Sequence, residues 1–166
     1  LMVRVGDVDN LGFGWPANFD PFSGNSTPGH GFPWTVNTND MAGTDRIMVV
    51  SSWDGHPPHG QDGYTGSTSR PGNEVQPITL TYGQRNVNSA ALQIFVDDFQ
   101  SPVWGAAYQV TLNGQRAPFL EAIINSLSQT GPIGKLITVA LPVEYLPLVR
   151  TGELALVFDD PTTGAG

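Results

Sequence analysis

Acidic and amide side chains are grouped in several loop-like stretches of the chain, where their oxygen atoms could bind a hard cation. The first stretch, residues 6–12, reads GDVDNLG. Asp7 and Asp9 are two residues apart, and a glycine fills the sixth position counted from Asp7, as in the first half of a calcium loop. Leu11 stands where a third ligand belongs and Asn18 replaces the bidentate Glu, so the stretch is not an EF-hand. It predicts a cation site completed by distant residues; the alternative is that both Asp residues end a strand.

A second stretch, residues 37–45, offers another set of oxygen ligands. It reads NTNDMAGTD and contributes Asn37, Asn39, Asp40 and Asp45. Calcium takes about six to eight oxygen ligands, which loops rich in Asp, Asn and Gly can supply. The alternative is a polar turn that leads into the next strand, and the residues alone leave both interpretations open.

Two apolar runs end in paired aspartates, Asp97–Asp98 and Asp159–Asp160. Carboxylates crowded in loops repel each other, and a divalent cation relieves that repulsion. The sequence therefore predicts bound calcium. The candidate ligands are Asp7, Asp9, Asn10, Asn37, Asn39, Asp40, Asp45, Asp97, Asp98, Asp159 and Asp160.

The patterns expected of an enzyme are not found. The chain has no cysteine nucleophile, no G-x-S-x-G, no H-E-x-x-H and no phosphate-binding glycine loop. His56 and His59 flank two prolines, which place their backbones roughly 9 Å apart in an extended stretch. This spacing favours exposed loop histidines over ligands of one metal. We therefore expect a non-catalytic protein.

Aromatic residues suggest a second kind of site, a stacking surface for sugar rings. Trp15 and Trp34 lie in a stretch where four of six aromatic residues are Phe, which favours the packing of a long loop against itself. Trp53 and Trp104 stand at strand ends, where exposure is easier. Asn25 opens the sequon Asn-Ser-Thr and would accept a glycan if the source glycosylates its secreted proteins.

Composition narrows the class of protein. Seven Lys and Arg against fifteen Asp and Glu, in 166 residues, give a net charge of −8. That charge argues against a nucleic-acid partner, which needs a basic surface. With 20 Gly, 14 Pro and no Cys, the chain is typical of an extracellular, loop-rich β domain. No apolar run approaches the roughly 18 residues of a membrane span, and the length suits one domain, residues 1–166.

Apolar alternation and turn residues predict seven strands. They cover residues 1–8, 46–53, 75–82, 91–98, 106–113, 135–140 and 153–158. Asn113–Gly114 predicts a tight hairpin turn. With no βαβ alternation, the pattern predicts an all-β fold, an antiparallel β-sandwich of the jelly-roll or immunoglobulin-like kind with a long loop region before residue 76.

One short helix is predicted near residues 118–128. Pro118 suits its first position, apolar residues recur at helical spacing, and Gly131 supplies a stop. Residues 142–150 predict a helical turn or two, interrupted by Pro147.

The stretch GDVDNLGFG, residues 6–14, together with the strands that end in Asp-Asp, resembles the calcium-stabilised β-sandwich modules of microbial cell-surface and secreted proteins. Such modules occur in adhesins, extracellular filaments and carbohydrate-binding appendages. The resemblance implies calcium as the cofactor, an extracellular or cell-surface location and a structural, non-catalytic role. It also implies copies of the same chain as partners in an oligomer or fibre. The alternative is a carbohydrate-binding module with glycan partners.

The first strand has a composition that suits assembly between copies. Leu1, Val3 and Val5 give residues 1–8 one apolar face, and a glycine-bounded loop follows. We expect the sheet edge beside residues 153–158 to be uncovered, so that a neighbouring copy's first strand could pair there. The alternative is that residues 1–8 are the first strand of a self-contained sandwich.

Overall fold

The computed structural model of the chain describes residues 1–3, 16–29, 77–97, 99–104, 107–129 and 133–159. Within these ranges lie six strands, three short α-helices and two 3-10 turns. The strands are β1 (Ile78–Thr81), β2 (Ala91–Asp97), β3 (Gln109–Leu112), β4 (Gln115–Arg116), β5 (Gly134–Ala140) and β6 (Glu153–Asp159). The helices are α1 (Ser101–Trp104), α2 (Pro118–Ile124) and α3 (Leu146–Arg150), and the 3-10 turns are Pro21–Ser23 and Val143–Tyr145.

The strands form two antiparallel sheets. One sheet has the order β1-β6-β3-β4, and the other pairs β2 with β5. Because β6 pairs with β1 on one side and with β3 on the other, the expectation of an uncovered edge beside residues 153–158 is wrong. The register explains the central position: Leu156 lies opposite Ile78 on one neighbour and opposite Leu112 on the other. Apolar side chains thus meet across both pairings; Leu112 and Leu156 are buried, and Ile78 is partly buried against them.

A single apolar cluster joins both sheets to α2. In the two-stranded sheet, Leu92 lies opposite Val139, and both side chains are buried. The larger sheet contributes Val110 from β3, and α2 contributes Leu120 and Ile124, all three fully buried. The period-2 pattern of the strands and the helical spacing of α2 therefore bury their apolar residues in the same place.

The predicted hairpin turn is present between β3 and β4. Asn113 and Gly114 have φ values of 48° and 80°. Positive φ at both central residues defines the type I′ turn, whose twist matches that of the two strands it joins.

Five predicted strands correspond to β1, β2, β3, β5 and β6, with shifts of a few residues at their ends. β1 begins at Ile78 rather than at residue 75, and β3 begins at Gln109 rather than at residue 106. Tyr108 precedes it and bonds through its backbone to the Asn125 side chain instead of to a strand. The predicted strand 46–53 lies outside the described residues. Of the predicted strand 1–8, only residues 1–3 are described; they form no strand, and Leu1 and Met2 are exposed.

Helix α2 begins at Pro118 as predicted and ends at Ile124, before the expected end near residue 128. The Ser126 hydroxyl donates to the Ile123 carbonyl at 2.7 Å, and Asn125 turns its side chain toward Tyr108. Both side chains bond to backbone carbonyls at the point where the helix ends, and the expected stop at Gly131 lies outside the described residues.

Residues 142–150 form the second 3-10 turn followed by α3. Pro147 lies in the first turn of α3, where its missing N–H leaves no helical bond unmade. The prediction that Pro147 interrupts the helix is therefore wrong. With three α-helices in the described ranges, the chain has a β-rich fold with short helices, not an all-β fold with one helix.

None of the helices in the described parts of the chain is long and apolar enough to cross a membrane.

Candidate functional site

Two of the predicted acidic residues end strands of different sheets. Asp97 is the last residue of β2, and Asp159 is the last residue of β6. Asp97 lies opposite Gly134, the first residue of β5, and Asp159 lies opposite Gln109, the first residue of β3. Each aspartate therefore stands where an apolar strand finishes and its neighbour begins.

A ring contact connects the end of β2 to the start of β3. Phe99 follows β2 and Tyr108 precedes β3, and their ring centroids are 5.2 Å apart. This contact brings the end of β2 beside the start of β3, which pairs with the end of β6. We refer to the ends of β2 and β6 with the starts of β3 and β5 as the acidic end. The sequence predicted that these strands deliver acidic pairs to loops. Asp97 and Asp159 end the two strands, and Asp98 and Asp160 lie outside the described residues.

Asp97 is half-buried beside a glycine. A Cβ atom on Gly134 would overlap the Phe95 ring and would lie 3.1 Å from Asp97 Oδ2. The lack of a side chain at Gly134 thus leaves room for both. The Gly134 N–H also donates to Thr27 Oγ1 at 2.7 Å, and the Thr27 N–H donates to the Gly134 carbonyl at 2.7 Å. Three separate segments therefore meet at this glycine.

The loop between β2 and β3 is held by two amide side chains that follow α2. Gln129 Oε1 accepts from the Phe99 N–H at 2.7 Å, and the backbone N–H of Gln129 donates to the Phe99 carbonyl at 2.9 Å. Asn125 Oδ1 accepts from the Ser101 hydroxyl at 2.9 Å and from the Tyr108 N–H at 2.8 Å. Asn125 Nδ2 donates to the Tyr108 carbonyl at 2.9 Å. The start and the end of the loop are thereby fixed at the acidic end.

Trp104 lies in this fixed loop, as the last residue of α1. Its predecessors Pro102 and Val103 are exposed, Val103 at 53%. The one candidate tryptophan in the described residues is therefore carried by a short helix at the acidic end.

The sequon asparagine is accessible, but its threonine is not. Asn25 is exposed, whereas Thr27 is only 4% exposed. Ser26 between them forms an antiparallel bridge with Lys135. The segment thus lies along the edge of β5, with Asn25 facing solvent.

The carboxylate of Glu121 is held in an ion pair with Arg116. Arg116 donates to it through Nε at 2.8 Å and Nη2 at 2.7 Å, and the Val110 N–H donates at 3.1 Å. The hydrogen bonds from Arg116, more than any other influence, lower the pKa of Glu121. A carboxylate kept ionised between strand and helix stabilises their contact and is poorly suited to act as a general acid.

The remaining predicted site residues lie outside the described residues. They are Asp7, Asp9, Asn10, Trp15, Trp34, Asn37, Asn39, Asp40, Asp45, Trp53, Asp98 and Asp160. For Trp104 and Asp159 the structure describes only the backbone. Within the described ranges, no group of three or more His, Cys, Asp or Glu side chains is close enough to hold a metal ion.

Sequence reasoning missed Thr27, Asn125 and Gln129, which organise the acidic end. The available signal was weak: Asn125 directly follows the apolar face of a helix, where an amide side chain is free to turn back toward a neighbouring segment. Its partner residue could not be identified from spacing.

Comparison of the chain with protein-family models, with curated proteins and with solved structures finds no match.

Proposed function

We propose that the chain is a non-catalytic structural module of an extracellular or cell-surface assembly and that calcium stabilises it at the acidic end. The observation that carries this proposal is that Asp97 and Asp159 end β2 and β6, and that the end of β2 lies beside the start of β3, which pairs with the end of β6. Each aspartate is followed by a second aspartate in the sequence. The two Asp-Asp pairs would supply the kind of oxygen ligand that calcium prefers.

The same proposal includes a β-sandwich architecture. The two antiparallel sheets bury apolar side chains in one common cluster, as the two layers of a sandwich do. In many sandwiches the loops at one end carry the functional residues. The acidic end, with the fixed loop that contains Trp104, suits that role.

The calcium part is tested by thermal unfolding of the full chain with calcium and with excess chelator. Binding to the native state alone stabilises a protein by about 2.7 kcal/mol at a hundredfold excess over Kd. We expect chelator to lower Tm by several degrees and expect Asp97→Asn to lose most of this response. Glu144→Gln, a change of an exposed acid outside the acidic end, is the matched control. An unchanged melting curve with chelator would refute the calcium site.

Assembly of the module is proposed to involve strand pairing between copies. β1 is an outer strand of its sheet, with Thr79 and Thr81 exposed, and among the described residues no strand pairs with its outer edge. Leu1 and Met2 are 85% and 75% exposed, so these apolar side chains are available to a neighbour. Deleting residues 1–8 should convert an oligomer or fibre into a monomer by size-exclusion chromatography. A deleted chain with unchanged assembly would contradict strand donation.

Carbohydrate binding is the second candidate, favoured by the position of Trp104 in the fixed loop at the acidic end. Aromatic faces stack on the apolar faces of sugar rings, and nearby carboxylates bind hydroxyl groups. A glycan array in calcium, with wild type and Trp104→Ala, separates the two candidates. Binding that is lost in the variant supports a carbohydrate-binding module; an empty array with intact calcium stabilisation supports the structural module.

A further inference from the structure

The hairpin turn between β3 and β4 contains the dipeptide Asn113–Gly114. In this dipeptide the glycine nitrogen can attack the asparagine side chain with little steric hindrance, because glycine has no Cβ. Asn113 is exposed to solvent in the turn. Water therefore has access to the site of a spontaneous covalent modification.

The fold holds the Asn113 side chain with three hydrogen bonds. Oδ1 accepts from the Ala155 N–H at 2.7 Å. Nδ2 donates to the Glu153 carbonyl at 3.0 Å and to the Leu148 carbonyl at 3.5 Å. The turn is thereby attached to the start of β6 and to α3. The same bonds restrain the amide carbon from moving toward the Gly114 nitrogen.

We propose that Asn113 is a deamidation site that the native fold protects and that local unfolding exposes. The Gly114 nitrogen gives up its proton and bonds to the Asn113 amide carbon, while the bond to the side-chain nitrogen breaks and ammonia leaves. Water then opens the cyclic imide at either carbonyl and gives aspartate or isoaspartate. The net reaction consumes one water and releases one ammonia, with no oxidant or reductant.

The product does not restore the original contacts. A carboxylate at position 113 can still accept from the Ala155 N–H, but it has no N–H for the Glu153 and Leu148 carbonyls. Two carbonyl oxygens would then face a negatively charged oxygen. Leu148 also lies in the last turn of α3, where negative charge is unfavourable. Deamidation therefore weakens the attachment of the turn to β6 and α3.

The protection is tested by incubating the full chain at mildly alkaline pH, in native buffer and in urea, and by measuring deamidation of each peptide by mass spectrometry. Asn88, exposed and followed by Ser, is the internal control. We expect Asn113 to react faster than Asn88 in urea. In native buffer we expect its rate to fall by about tenfold or more, because three hydrogen bonds must open together. Equal Asn113 rates in the two conditions would overturn the proposed protection.

The consequence is tested with Asn113→Asp and Asn88→Asp, which make the same change of charge. Urea unfolding should show a lower midpoint for Asn113→Asp than for Asn88→Asp. If Asn113→Asp does not fold while Asn88→Asp does, the loss of stability is larger than expected and has the expected direction. Equal midpoints for the two variants would overturn the proposal that the product weakens the fold.

Discussion

Replacing Asn125 with Ala tests how the loop between β2 and β3 is fixed at the acidic end. The change removes three hydrogen bonds, one from the Ser101 hydroxyl and two with the Tyr108 backbone. Both partner residues are almost fully buried, Ser101 at 2% and Tyr108 at 6% exposure. No apolar contact of the core cluster is altered, since Asn125 is not part of it.

The expected loss follows from the number of bonds. At about 1 kcal/mol for each buried hydrogen bond, the free energy of unfolding should fall by about 3 kcal/mol. With a urea m-value of about 2 kcal/mol/M for a chain of this size, the midpoint should fall by about 1.5 M.

Urea denaturation followed by circular dichroism measures this shift. Asn88→Ala is the matched control, because Asn88 is exposed in the segment between β1 and β2 and surface changes usually stay within about 0.5 kcal/mol. If Asn125→Ala and Asn88→Ala have the same midpoint, the side-chain bonds to the loop do not stabilise the fold and the reasoning fails.

Two further predictions concern single groups. Because the pairing with Arg116 lowers the pKa of Glu121 below its ordinary 4.5, its contribution to stability is complete above that pH and is lost as the pH falls through the lowered value. Below pH 4.5, Glu121→Gln should therefore lose less stability than wild type in acid unfolding curves. The exposed-site control Glu144→Gln should follow wild type. Identical curves for all three proteins would contradict the assignment. Gly134→Ala should lower the free energy of unfolding by about 1–3 kcal/mol, because its Cβ would overlap the Phe95 ring. Adding Phe95→Ala should recover part of that loss in a double-mutant cycle measured by urea unfolding. A purely additive result would argue against the overlap.

Local patterns in the sequence were sufficient to locate most of the described strands. Alternation of apolar residues identified β2, β5 and β6 to within one residue at each described end, because one face of each strand is buried. The type I′ turn at Asn113–Gly114 was predictable because few dipeptides adopt positive φ twice. The order of strands was not predictable in this way. Alternation of apolar residues indicates which face of a strand is buried but not which strand pairs with it. The expectation that β6 lies at an edge was wrong for this reason.

The acidic end was predictable only in part. The Asp-Asp pairs mark the ends of two strands in the sequence, but nothing local shows that the end of β2 lies beside the start of β3. The fixed loop depends on bonds from Asn125 and Gln129 to backbone groups 17 and 30 residues away. Such side-chain to backbone bonds leave no periodic signal. They become visible only when the strands and α2 have been placed.

The contact between Thr27 and Gly134 has a consequence for the order of folding. The two residues are 107 positions apart, while the buried core of the described residues is built from positions between Leu92 and Phe158. Contacts of large sequence separation form slowly because a long loop must close. During synthesis Thr27 leaves the ribosome long before Gly134, so it has to wait for β5. The amino-terminal segment should therefore dock last, onto a carboxy-terminal half that has already folded.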